Sequence, residues 1–93
     1  MEIDILFDAL ERQVSWLTEM AEAHLSSARR FSGYGDSRES YRYIYLADGA
    51  MDFVKKMAND KLIQISEGHR QKMDSWEARL NIIIDELHAL LIS

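Results

Sequence analysis

Neither cysteine nor proline occurs anywhere in this chain of 93 residues. Without cysteine there is no disulfide framework, no thiolate metal site and no cysteine nucleophile, and the chain suits a reducing, cytoplasmic setting. Without proline, nothing removes a backbone donor from a helical ladder or forces it to break. Glycine is scarce too, with only Gly33, Gly35, Gly49 and Gly68. Gly33 and Gly35 have neither the lysine and spacing of a phosphate-binding loop nor the strand context of a dinucleotide fingerprint. No apolar run reaches the roughly 18 residues that a membrane span needs. The N-terminus, MEIDILFDALE, is acidic where a secretion signal is basic, so neither membrane insertion nor export is expected.

The residues that fill the chain are mostly helix formers such as Ala, Leu, Met, Glu, Lys and Arg, and they predict an all-α protein. The length predicts one domain spanning residues 1–93. At that size a monomer buries only about 60–65% of its unfolded surface, and association is one remedy for the resulting low stability. Apolar positions recur with steps of four and three at Ile3, Phe7, Leu10, Val14, Leu17, Ala21, His24 and Ala28. The same steps join Ile44, Ala47, Met51, Val54, Ala58, Lys61 and Ile65, and then His69, Met73, Trp76, Leu80, Ile83, Leu87 and Leu90. This is the spacing of a heptad seam.

Three helices follow, at about residues 2–30, 37–65 and 69–92, packed as an antiparallel three-helix bundle. Asp36 and Glu39 read as a capping box that starts the second helix. The second break is less sharply written, because the four-three pattern never lapses between Ala58 and Trp76. A turn at Ser66-Glu67-Gly68 gives helices of matched length. The alternative is a helical hairpin whose second helix runs on without interruption. The closing stretch, NIIIDELHALLIS, is apolar over more than one face. Ile83, Ile84, Leu87, Leu90 and Leu91 are therefore expected to form a homodimer interface.

Little in the sequence reads as catalysis. His24, His69 and His88 form no His-Glu-x-x-His or Glu-x-x-His pattern, and seam histidines are more often packed than catalytic. One set of acids has a familiar order. Glu19-Met-Ala-Glu22 is followed on the next helix by Asp48-Gly-Ala-Met-Asp52. This resembles the MazG-type all-α nucleotide pyrophosphohydrolases, whose pattern is Glu-x-x-Glu and then Glu-x-x-Asp. The first half matches, whereas the second differs in its first residue and is one residue too long. The resemblance implies Mg²⁺ held by Glu19, Glu22, Asp48 and Asp52 against a pyrophosphate. The plainer reading is a solvated acidic helix face.

The most distinctive stretch is SGYGDSRESYRYIYLAD, residues 32–48, which holds all four tyrosines. The chain as a whole carries a net charge of −5, yet Arg29, Arg30, Arg38 and Arg42 gather around this stretch. Tyr41 and Tyr45 are four apart and share a helix face. Tyrosine and arginine are the residues that protein interfaces concentrate at their strongest contacts. The competing reading packs Tyr41 and Tyr45 against the first helix near Leu25 and Ala28.

The sequence thus predicts a small non-enzymatic protein-binding module: an adaptor, chaperone or inhibitor. Its partner-binding tip is expected at Tyr34, Arg38, Tyr41 and Arg42. The expected partners are another protein and a second copy of the chain, with no cofactor and no membrane. Single-stranded nucleic acid, stacked on Tyr34, Tyr41 or Tyr45, is a further alternative that the acidic flanks argue against.

Overall fold

The heptad seams become three helices: α1 (Ile3–Phe31), α2 (Tyr34–Asn59) and α3 (Glu67–Ile92). The structure, a computed structural model, describes residues 3–31 and 34–92, and the side chains of Tyr34 and Ile92 lie outside that description. The helices run up, down and up as an antiparallel three-helix bundle. Ser40 meets Ala21, and Asp36 meets His24, so α2 is antiparallel to α1. Along α3, Lys72, Arg79 and Glu86 pair in turn with Glu11, Glu22 and Arg29, so α3 is parallel to α1. The bundle is a rod of 44 × 19 × 18 Å.

The predicted seam of α1 is buried at Phe7, Leu10, Val14, Leu17, Ala21 and Ala28. At the fourth heptad of the seam the inward position passes from His24 to Leu25. A helix of 3.6 residues per turn drifts by about 20° per heptad against a 3.5 repeat, which accounts for the slip. On α2 the core residues are Ile44, Ala47, Met51 and Val54, and on α3 Met73, Leu80, Ile83 and Leu87.

The two sides of α2 are packed differently. Between α1 and α2 the buried residues include Ala21, Ala47 and Ser40, small enough for the backbones to approach closely. The Ser40 hydroxyl crosses that gap and donates to the Ala21 carbonyl at 2.7 Å. Larger side chains hold α3 further off, among them Met73, Leu80, Ile83 and Leu87. Near the base Phe7 stacks on Trp76, with centroids 5.4 Å apart. The seam between α2 and α3 is left partly open at the surface.

The break between α2 and α3 comes earlier than Ser66-Glu67-Gly68. The Leu62 N–H donates to the Met57 carbonyl and the Lys61 N–H to the Ala58 carbonyl, at 2.9 and 3.1 Å. These two bonds form a Schellman motif, with Lys61 in its left-handed position at φ 62°. Ser66 then caps α3. Its hydroxyl accepts from the His69 N–H and its own N–H donates to His69 Nδ1, both at 3.1 Å. His69 thus fills the place that Glu or Gln takes in a capping box. Gly68 lies inside the first turn of α3 with no positive φ. The uninterrupted hairpin is excluded, although the turn does not use the glycine.

The start of α2 also differs from expectation. The helix begins at Tyr34, so Asp36 sits within its first turn instead of preceding it. The Asp36 carboxylate accepts from His24 Nδ1–H at 3.0 Å. Glu39 pairs with Arg42 at 3.2 Å. Both members of the proposed capping box are therefore committed to other partners.

Candidate functional site

At the end of the rod where α2 begins and α3 finishes, the open seam widens into a groove of about 590 Å³. Ser37, Arg38, Tyr41, Arg42, Tyr45 and Leu46 of α2 form one wall, and Leu91 of α3 closes the other. That volume falls within the range of about 300–1,000 Å³ usual for binding clefts. Tyr41 and Tyr45 stack one turn apart, with centroids at 6.3 Å, and Tyr41 also faces the His88 ring at 6.0 Å. Tyr45, Leu46 and Leu91 are each at least half exposed, at 67%, 50% and 54%.

Three of the four residues predicted for the tip, Arg38, Tyr41 and Arg42, meet in this groove. The Tyr34 side chain lies outside the described residues. Tyr43 turns the opposite way and packs on α1, edge-on to Trp16 and stacked on His24. The tyrosine that rests on α1 is therefore Tyr43, whereas Tyr41 faces α3. Sequence reasoning omitted Tyr45 and Leu46 from the site. Their signal was present in the one-turn spacing from Tyr41 and Arg42.

Two features of the groove are electrostatic. Among the described residues, its only charged lining residues are Arg38 and Arg42. Among the described residues Arg38 has no ion-pair partner, while Arg42 shares Glu39 across a single turn. The Tyr41 hydroxyl is closed to solvent and has no hydrogen-bond partner among the described residues. Burial, and then the neighbouring Tyr45, push its pKa above the ordinary tyrosine value of 10.0.

Below Tyr45 the seam continues as a smaller depression of about 180 Å³ lined by Ile44, Asp48, Glu77, Leu80, Asn81 and Ile84. Burial, then Asp52 and Glu77, raise the Asp48 carboxyl above its usual range, while Lys55 acts the other way. Lys55 is hydrogen-bonded to Glu77, which raises the Lys55 pKa. The seam thus changes sign along its length, basic at the tip and acidic at mid-height.

The residues proposed for a dimer interface separate into three groups. Ile83 and Leu87 are buried inside the bundle's own core. Ile84 and Leu90 pack half-buried against that core. Leu91 alone is exposed, and it belongs to the groove. Among the described residues of the closing stretch, Ile82 and Leu91 are the large apolar side chains left exposed.

The four acids of the pyrophosphohydrolase pattern do not form a metal-binding set. Both oxygens of Glu22 are held in a fork by Arg79, at 2.8 and 3.0 Å. Among the described residues no three of His, Asp and Glu are grouped so that they could hold a metal ion. The acids present do not fit Mg²⁺ and a pyrophosphate. Among the same residues, no helix is long and apolar enough to cross a membrane.

No family model, curated protein or solved structure matches the chain. The groove remains the feature that combines open apolar area, aromatic stacking and unpaired cationic charge.

Proposed function

We propose that the chain is a non-enzymatic protein-binding module, an adaptor or inhibitor, that grips a partner protein in the groove between α2 and α3. One observation carries this reading. Arg38, Tyr41, Arg42, Tyr45, Leu46 and Leu91 converge on a single open cleft at one end of the rod. Apolar area supplies the attraction there. Aromatic rings add stacking, and the arginines direct polar contacts. The rest of the bundle is a stiff support, since its core is continuous from Phe7 and Met73 to Leu25 and Leu87.

The test is quantitative capture from the native cell with immobilised wild type and with Leu46→Glu. Leu46 is half exposed, so a charge there leaves the core intact while spoiling the floor of the cleft. Proteins that bind through the groove are recovered by the wild type and depleted by about tenfold or more with the variant. Equal recovery of every captured protein by both baits rules the groove out as the contact surface.

A further inference from the structure

We infer that the occupant of the groove is a short amphipathic helix of a partner protein, acidic where it meets the tip and basic where it meets the middle of α2. This rests on the reading of the groove as a protein contact surface and adds the chemistry of what fills it.

The first support is shape. The cleft follows α2 from Ser37 to Leu46, and through Tyr45 it joins the depression beside Asp48 and Ile84. At 1.5 Å per residue this trough is about 16 Å long, roughly three turns of a docked helix. It lies between two helices whose separation is set by bulky core residues, the place where a further helix would complete a four-helix arrangement. An apolar stripe on the occupant would rest on Tyr45, Leu46, Ile84 and Leu91.

The second support is charge. Among the described residues, the tip half of the trough is lined by Arg38 and Arg42 and by no acid. The lower half presents Asp48 and Glu77. Glu77 already has Lys55, whereas Asp48 stands one turn from Asp52 with no ion-pair partner among the described residues. Arg38 without an ion-pair partner at one end and Asp48 without one at the other, among the described residues, are the complement of a helix polarised in the opposite sense. Glutamates over Arg38 and Arg42 gain paired guanidinium contacts, and a lysine or arginine over Asp48 and Asp52 relieves their repulsion. Acids at the first turn and bases at the last also suit the helix macrodipole, which places the occupant's N-terminus at the tip.

The test uses synthetic helical peptides of about 15 residues sharing one leucine stripe at helical spacing. One carries glutamates in its first half and lysines in its second. A second carries glutamates throughout, a third lysines throughout, and a fourth repeats the polarised sequence with a central proline. Fluorescence anisotropy gives affinity, and amide chemical-shift mapping gives the site. The polarised peptide is expected to bind about tenfold or more tightly than either uniform peptide, with shifts centred on Arg38–Leu46, and the proline peptide to bind far more weakly. In Arg38→Glu/Arg42→Glu protein, shown by circular dichroism and melting to be folded, the preference should move to the all-lysine peptide.

Equal affinities for the polarised and uniform peptides overturn the inference, as does an unchanged preference after the double reversal. So does binding of the proline peptide as tightly as its parent. Sedimentation of the wild type as a dimer with the groove amides protected shows that a second copy fills it, and also overturns the inference. If Leu46→Glu abolishes native capture while the peptides show no preference, the contact surface stands and only the occupant's chemistry is wrong.

Discussion

The Tyr41 hydroxyl is closed to solvent without a hydrogen-bond partner among the described residues, in a groove where the neighbouring Tyr45 and Leu46 are open. Such an orphan costs the fold about 1–3 kcal/mol. Tyr41→Phe keeps the ring and its stacking and removes the orphan, so it should raise the unfolding free energy by about 1 kcal/mol in a urea titration. The pH dependence provides a second readout. The folded protein holds the Tyr41 proton more tightly than the unfolded chain, whose tyrosines ionise near 10.0. Stability from this group is therefore complete below that pH and is lost as pH rises through it. Lys55, raised chiefly by its bond to Glu77, contributes a loss of the same sign above 10.5. The Phe variant should keep the lysine part of the alkaline decline and lose the tyrosine part.

The elements show which signals a sequence writes plainly. The core seam was legible because burial repeats: Phe7, Leu10, Val14, Leu17 and Ala21 recur at the steps that a helix packed on one side demands. The ends of the helices were harder to read, because each is decided by one contact made with an atypical residue. The Schellman turn of α2 uses Lys61 where glycine is the usual choice. The cap of α3 uses His69 where an acid or amide is expected. Asp36 carries a capping signature but is drawn away by His24, on another helix and hence out of reach of any local pattern. Of the site, Arg38, Tyr41 and Arg42 were legible as a cluster. Leu91 was visible as apolar, but only the return of α3 to the tip brings it opposite them.

Glycine is in this sense misplaced by one loop, which is testable. Lys61→Gly relieves the left-handed strain of a side chain and should stabilise by about 1 kcal/mol. Gly68→Ala adds a methyl that meets only the Ser66 hydroxyl, at an ordinary 3.6 Å, inside a helix. It should stabilise by a similar amount, about 1 kcal/mol. Thermal melts of the two variants and their combination would check both. A fall in melting temperature for Lys61→Gly would mean that the left-handed turn does not end α2.

At the scale of the whole molecule, the tight α1–α2 contact and the looser α2–α3 contact are one design with two outcomes. Alanines at positions 21 and 47, both fully buried, draw the first pair together. Ala47→Leu would force three extra carbons into that contact, and the cost should be about 3 kcal/mol, read as a lower urea midpoint. Enlarging residues along the α2–α3 groove has no such neighbours to displace. The ion pairs of Glu11, Glu22 and Arg29 with α3 are exposed and contribute little stability, about 0–1 kcal/mol each. Their spacing along α1 and α3 holds those two helices in register.

Because α3 runs parallel to α1, the rod starts at one pole and finishes at the other, along an axis of 44 Å. Anything tethered ahead of Ile3 is carried toward the pole opposite the groove. Anything tethered beyond Ile92 emerges one residue past Leu91, at the rim of the groove itself. An affinity handle, a fluorophore or a fused domain would thus be a bystander on the first attachment and a competitor or a lid on the second. The same protein displayed from its two ends should behave as two different reagents.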